Sequence, residues 1–214
     1  KSGDLWMGFK NSIVLVVETV VLEIVFSALA AYGLARSNGK IAESIRNVNM
    51  GIMMIPGVAL LVGTYGLMVK FHMTNTLYGL ALLSAAGGIP GTMFMYVNFV
   101  VSIPVALDEA AAIDGAGIWQ RIIHIMIPAI KKLAGTLLIL QIISVFQIMY
   151  EPMVLTKGGP DNASLSLMQL MWQYAFGGSM NYGKASAVAV IVTLILLVMT
   201  AIYSYFDRKE SDWD

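Results

Sequence analysis

The 214-residue chain contains no cysteine, only two histidines and few charges. Each scarcity removes a class of function. Without cysteine there is no disulfide framework, no thiolate nucleophile and no zinc–sulfur site. His72 and His124 lie far apart in sequence, which argues against a histidine-based metal site. Charged residues make up 12% of the chain, about half of the roughly 25% usual in globular domains. That density leaves too few charges to cover a water-exposed surface, and 58% of the residues are hydrophobic. The chain therefore reads as an integral membrane protein. Its formal net charge is zero, so no bulk field points to nucleic acid. There is no GxxxxGK[ST] loop to cradle ATP phosphates, no internal repeat and no separate soluble domain. The opening KSGDLWMGFKN lacks the apolar core of a signal peptide.

What is present is apolar sequence in long runs. A spanning helix takes about 20 mostly apolar residues. Five stretches qualify: 13–35, closed by Arg36 and the turn-forming SNGK; 48–69, with Pro56 and Gly57 expected to kink it; 77–100, interrupted by GGIPG at 87–91; 133–153; and 185–206. The expected fold class is all-α, a polytopic transmembrane helical bundle forming one domain over 1–214. Lysine and arginine concentrate in cytoplasmic loops. Alternating loops place Arg36, Lys40, Arg46, Arg121, Lys131, Lys132, Arg208 and Lys209 on one side, against Lys1, Lys10, Lys70, Lys157 and Lys184 on the other. This orientation puts the loop 101–132 in the cytoplasm and 154–183 outside. Residue 1 then also lies outside, and we expect an earlier span upstream of it, making six in the full-length protein. In the outer loop, TKGGPDNAS is turn chemistry. The following Leu167, Leu170, Met171 and Tyr174 have helical spacing and predict a short helix on the membrane surface.

Residues 108–128, DEAAAIDGAGIWQRIIHIMIP, are unusual for their position between two apolar runs. Ser102 is suited to cap a helix, and Pro104 is tolerated in a first turn. Asp108 and Glu109 are favoured early in that helix by its dipole. Ala110, Ala111 and Ala112 are strong helix formers without bulk. Gly115 and Gly117 are expected to end the helix in left-handed backbone. A second helix then restarts with Trp119, Ile122, Ile123 and Met126 on one apolar face, and Pro128 is expected to bend the chain before Lys131 and Lys132. Composition alone leaves two readings open: a helix–turn–helix lying in the headgroup layer, or a docking helix for a soluble partner.

The spacing Glu109-Ala110-Ala111, three residues, Gly115, nine residues, Ile125, one residue, Ile127-Pro128 resembles the EAA loop of membrane subunits of binding-protein-dependent ABC importers. That pattern is EAA-x3-G-x9-I-x-LP, and Ile127 replaces its leucine. Asp114 and Ala116 also fit the sugar-importer form EAAxxDGA. The segments AYGLARSNGK, TNTLYGL, SIP, LTKGGPDNAS and YGKASAVAV are similar to maltose-type carbohydrate permeases, so the resemblance covers nearly the whole chain. It implies a non-enzymatic permease subunit of the bacterial cytoplasmic (inner) membrane. It further implies a cytoplasmic coupling helix within 101–132, with Glu109, Ala110, Ala111, Asp114, Gly115, Ala116, Ile125 and Pro128 as the ATPase-coupling residues. The partners implied are a second permease subunit, two copies of a cytoplasmic ATPase and an extracytoplasmic solute-binding protein. ATP and magnesium would sit on the ATPase; this chain would hold no cofactor, metal or catalytic residue. The cargo implied is an oligosaccharide or sugar derivative.

Polar residues inside apolar runs are functional candidates by default. Glu18 and Glu23 lie in the first run; for Glu23, a carboxyl held by a neighbouring helix or by a partner subunit, and a place in the substrate cavity, are both open. Gln141, Ser144, Gln147 and Glu151 recur at spacings of three, three and four, with Tyr150 beside them. We expect them to form a polar stripe along one helix face. Such a stripe serves either helix-to-helix hydrogen bonding or a sugar-facing wall, since amides and carboxylates match hydroxyls and an aromatic face matches a sugar ring. Tyr96 and Asn98 are further candidates for the substrate path. The 15 methionines read as adaptable packing. Rival functions are the same architecture carrying a polyol, glycerol phosphate, oligopeptide or ion; a proton-coupled secondary carrier using Glu18 or Glu23; and a scaffold without transport.

Overall fold

The computed structural model describes residues 2–178 and 180–211; Lys1 lies outside them, and Lys132, Arg208 and Lys209 are described by backbone alone. Every regular element among the described residues is helical. In order they are α1 (Ser2–Arg36), α2 (Lys40–Met53), α3 (Gly57–Lys70), α4 (Leu77–Ser102), α5 (Val105–Ile113), α6 (Ile118–Arg121), α7 (Ile127–Phe146), α8 (Leu167–Phe176) and α9 (Tyr182–Ser211). Short π-helical turns occupy Ile122–Met126 and Pro152–Thr156.

Among the described residues, three helices are long and apolar enough to cross a membrane, or up to five spans if each bent helix pair counts as one. The three correspond to α1, α4 and α9. At 1.5 Å per residue, the 35 residues of α1 extend about 52 Å, well beyond a hydrocarbon core of about 30 Å. The helix therefore starts eleven residues before the expected 13. Its added turns are held by polar contacts: Asn11 donates to the Asn162 and Leu165 carbonyls, and Ser12 Oγ accepts from the Leu167 amide. Val17, Val21, Leu194 and Leu197 remain exposed on α1 and α9, as suits helix faces turned to lipid.

Two expected spans are not single straight helices. The stretch 48–69 is divided between α2 and α3, with 54–56 non-helical between them. Pro56 has no N–H and disfavours helical backbone in the residue before it. The stretch 133–153 stops as a helix at Phe146. The helical segments 118–131 and 133–146 are inclined to one another by 66°, and Pro128 is accommodated in the first turn of α7.

The opposite correction applies to α4, which runs uninterrupted through GGIPG. Proline in an apolar helix is tolerated where neighbours take up the freed backbone groups. The carbonyl that Pro90 frees is that of Ala86; Ser27 donates to the Ile89 carbonyl at 3.4 Å and Asn49 to the Pro90 carbonyl at 3.0 Å, tying this stretch of α4 to α1 and α2. Gly88 has a separate cause. A Cβ there would fall 2.5 Å from the Glu23 carboxylate, and Glu23, 1% exposed, accepts a hydrogen bond from Thr92 Oγ1. Glu23 is thus held between α1 and α4, the helix-held of the two readings. Glu18 has Oε2 buried without a hydrogen-bond partner.

The chain divides into two compact units, one of residues 1–21, 57–85 and 139–214, the other of 22–56 and 86–138. In the first, α8 packs on α9, and Leu167 and Leu170 are buried. The apolar face expected to rest on the membrane surface is therefore turned into the protein. Ser166 caps α8 by accepting from the Gln169 amide. In the second unit, Ala31, Tyr32, Leu34, Met93, Tyr96, Val97, Val100, Ile122, Met126 and Ile130 share one core.

Candidate functional site

The expected helix–turn–helix forms within the second unit. α4 ends at Ser102, whose hydroxyl donates to the Phe99 carbonyl at 2.6 Å. Ser102 therefore closes α4 instead of capping α5. Pro104 takes the N-cap position of α5, not its first turn, with φ −56° and ψ 128°. The extended ψ suits the chain reversal between the two helices.

The end of α5 is closed as the sequence implies at one glycine and not at the other. Ala116 N–H donates to the Ala111 carbonyl at 2.8 Å and Gly115 N–H to the Ala112 carbonyl at 3.1 Å. These paired bonds form a Schellman closure, which needs a left-handed residue at its centre. Gly115 fills that place with φ +84°. Gly117 does not: at φ −68° it is the N-cap of α6. Its amide is taken by Gln120 Oε1 at 2.7 Å, half of a capping box, because glycine has no side chain to reciprocate.

The apolar face expected for the second helix splits. Ile122 and Met126 are buried, whereas Trp119 is 63% and Ile123 53% exposed. The cause is the π-helical turn over Ile122–Met126. Its wider turn (i→i+5 bonding) shifts each side chain relative to a 3.6-residue period.

The result is a helix–turn–helix with a largely exposed outer surface. Glu109, Ala110, Asp114, Gly115 and Pro128 are exposed, while Ala111, Ala116 and Ile125 are half-buried. Ile113, at the last position of α5, is 86% exposed. A groove of about 280 Å3 runs beside the turn, lined by Ala111, Asp114, Gly115, Ala116, Gln120, Arg121, His124 and Ile125. Five of the eight expected coupling residues thus line one groove, with Glu109, Ala110 and Pro128 outside its lining. In the same groove, Arg121 Nε is buried without a hydrogen-bond partner.

Asp108 behaves unlike its neighbour Glu109. It is 5% exposed. Arg36 Nε donates to its Oδ2 at 2.6 Å, and Tyr32 Oη donates to its Oδ1 at 3.2 Å. Arg36 Nη1 also donates to the Val100 and Ile103 carbonyls. The sequence placed Asp108 only as a favourable charge near a helix start and Arg36 only as the close of the first apolar run and a cytoplasmic-side charge; it assigned no role to Tyr32. The signal available was an acidic residue one position before an otherwise exposed motif, together with an arginine closing the first apolar run.

The polar stripe is not a single helix face. Gln141 and Ser144 lie on α7, but Gln147 is in the turn after it, and Tyr150 and Glu151 begin the next helical turn. Pro152 has no N–H to offer the Ile148 carbonyl, and that carbonyl accepts from Ser166 Oγ at 3.0 Å instead. Helix continuation is replaced by a loop contact, and the 3-3-4 spacing loses its common axis. Ser144, Gln147 and Tyr150 are exposed, Gln141 and Glu151 half-buried. Tyr96 and Asn98 belong to the other unit. Tyr96 is fully buried in that unit's core. Asn98 is exposed and donates to the Phe94 carbonyl of its own helix.

Long apolar helices joined by an ordered, surface-exposed helix–turn–helix define a polytopic integral membrane protein built to present one loop. Residues 23–212 match the family of binding-protein-dependent transport system inner membrane components, and the chain belongs to that family. It is 33% identical to the melibiose/raffinose/stachyose import permease protein MelC of Bacillus subtilis (strain 168), over 67% of this chain and 52% of that protein. It is 29% identical to the diacetylchitobiose uptake system permease protein NgcG of Streptomyces coelicolor, over 94% of this chain and 65% of that protein. The chain thus spans between about half and two thirds of these relatives' lengths. In fold it is similar to a chain of a bacterial ABC transporter importing the acidic polysaccharide alginate, with TM-score 0.79, 18% identity, and coverage of 98% of this chain and 80% of that one. It is also similar to a chain of the MetNI methionine ABC transporter, with TM-score 0.73, 20% identity, and coverage of 96% and 95%.

Proposed function

We propose that this chain is a permease subunit of an ATP-driven importer of the bacterial cytoplasmic membrane. It forms part of the path for an oligosaccharide or sugar derivative handed over by an extracytoplasmic binding protein. The observation that carries this reading is the exposed α5 tip at Ile113, closed rigidly at Gly115 and sited beside a groove that holds an unpartnered Arg121 Nε. Such a tip fits into a cleft on a partner. Two ATPase copies would close on ATP and magnesium, each moving one such helix, one on this chain and one on a second permease. ATP hydrolysis belongs to the ATPase, and this chain converts its motion into opening of the path.

The sugar reading rests on the relatives. MelC and NgcG are by name permeases for melibiose, raffinose and stachyose and for diacetylchitobiose. The fold alone does not choose the cargo, because it is shared with a methionine transporter. The exposed Gln147 and Tyr150 offer the amide and aromatic face that a sugar requires.

The test is reconstitution of the full-length chain with its partner permease, ATPase and binding protein in proteoliposomes. ATP-dependent uptake of a labelled oligosaccharide is expected. Uptake that proceeds without ATP and follows a proton gradient would move the chain to the class of secondary carriers. ATP-dependent uptake of an amino acid or ion, with none of any sugar, would retain the importer and overturn the cargo.

A further inference from the structure

Arg36 joins three elements at the point where the coupling loop leaves the spans. It is the last residue of α1. Its Nη1 donates to the Val100 carbonyl in the final turn of α4 at 3.1 Å and to the Ile103 carbonyl in the joint itself at 3.2 Å. Its Nε donates to Asp108 Oδ2 on α5 at 2.6 Å. One helical turn back on α1, Tyr32 Oη donates to the other oxygen of the same carboxylate at 3.2 Å. The ion pair is nearly sealed from water, with side chains 13% and 7% exposed.

The covalent link between α4 and α5 is only Ile103 and Pro104. Ile103 keeps both soft backbone rotations and Pro104 keeps ψ, its φ being locked by the ring, so a push on α5 delivered through this link alone would be lost in part as bending. The Arg36 fork spans the joint from both sides. Its planar arrangement of donors is what allows one side chain to hold a carboxylate and two carbonyls together; a lysine ammonium lacks that geometry. A buried ion pair adds little net stability, since desolvation roughly offsets attraction. The arrangement therefore calls for a role other than holding the fold together.

We propose that Arg36, with Asp108 and Tyr32, is a positioning strut that carries displacement of α5 into α1 and α4 together, so that ATPase motion reaches the spans. This inference rests on the coupling role proposed above for α5, and the experiment separates the two. The wild-type complex, full-length chain with its partner subunits, is assayed in proteoliposomes for oligosaccharide uptake and ATP hydrolysis together. Arg36→Lys keeps the charge and removes the fork. Assembly with the ATPase and basal hydrolysis are expected to persist, while sugar transported per ATP falls about tenfold or more, the scale set by losing hydrogen bonds to a charged group. Arg46→Lys, the same exchange on α2, is expected to leave the ratio unchanged. Should Arg36→Lys fail to assemble, Tyr32→Phe removes a single hydroxyl and is expected to lower the ratio about two- to twelvefold.

An unchanged ratio in assembled Arg36→Lys, or in Tyr32→Phe where Arg36→Lys does not assemble, overturns the strut. So does a fall in uptake and hydrolysis in equal proportion, which is the signature of lost assembly and not of slipping. A wild-type complex that shows no ATP-driven uptake overturns the coupling reading itself, and the strut with it.

Discussion

At the residue scale, two glycines only two positions apart, Gly115 and Gly117, do different work. Gly115 has φ +84°, in the left-handed region; Gly117 has φ −68° and needs no special backbone freedom. A β-branched side chain at Gly115 meets about 1–2 kcal/mol of backbone strain and is stiff at χ1. Nothing lies within 4 Å of a Cβ there, so the effect is conformational and not a clash. Gly115→Val is expected to leave the spans assembled and to lower uptake per ATP, whereas Gly117→Val is expected to retain it. Paired uptake and ATPase measurements on both variants check this. Equal ratios in the two would remove the turn from the coupling path.

At the element scale, the decisive event is the end of α7 at Phe146. A helix continuing to 153 would have kept Gln141, Ser144, Gln147 and Glu151 on one stripe. The break instead leaves Gln147 and Tyr150 exposed on an irregular segment, where side chains are free to meet a solute. Gln147→Ala and Tyr150→Ala are each expected to weaken transport without uncoupling the ATPase. Loss of one hydrogen bond corresponds to about a two- to twelvefold change in affinity, and Tyr150→Ala adds lost stacking area. Ser186, exposed on α9, is the comparison. The measurement is uptake across mono-, di- and oligosaccharides with the matching binding protein. If both variants match Ser186→Ala for every cargo, this segment does not line the path.

At the scale of the whole molecule, the orientation set by the arginines and lysines is open to direct labelling, because the chain has no cysteine. Ala163 is exposed in the loop after α7, and Ile113 is 86% exposed at the tip of α5. Ala163→Cys is expected to react with a membrane-impermeant thiol reagent on intact cells. Ile113→Cys is expected to react only after the membrane is opened. The reverse pattern would place α5 outside, beyond the reach of a cytoplasmic ATPase.

Composition and apolar run length were sufficient for the membrane class and for three of the helices, α1, α4 and α9, because lipid leaves a chain little choice but to satisfy its backbone within helices. The EAA spacing likewise located the helix–turn–helix and its left-handed glycine, since a Schellman closure is a local rule written in a few adjacent residues. What only the tertiary structure decided depends on groups distant in sequence. α4 runs on through GGIPG, where the local pattern called for an interruption, and Ser27 and Asn49 tie that stretch to α1 and α2. Ser166 takes the Ile148 carbonyl and ends the α7 stripe. Asp108 leaves the exposed face of its own motif because Arg36, 72 positions earlier, and Tyr32 are there to receive it. A local pattern specifies which conformations a segment prefers; it does not specify which partner arrives to satisfy a carbonyl or a charge, and those partners settled the rest.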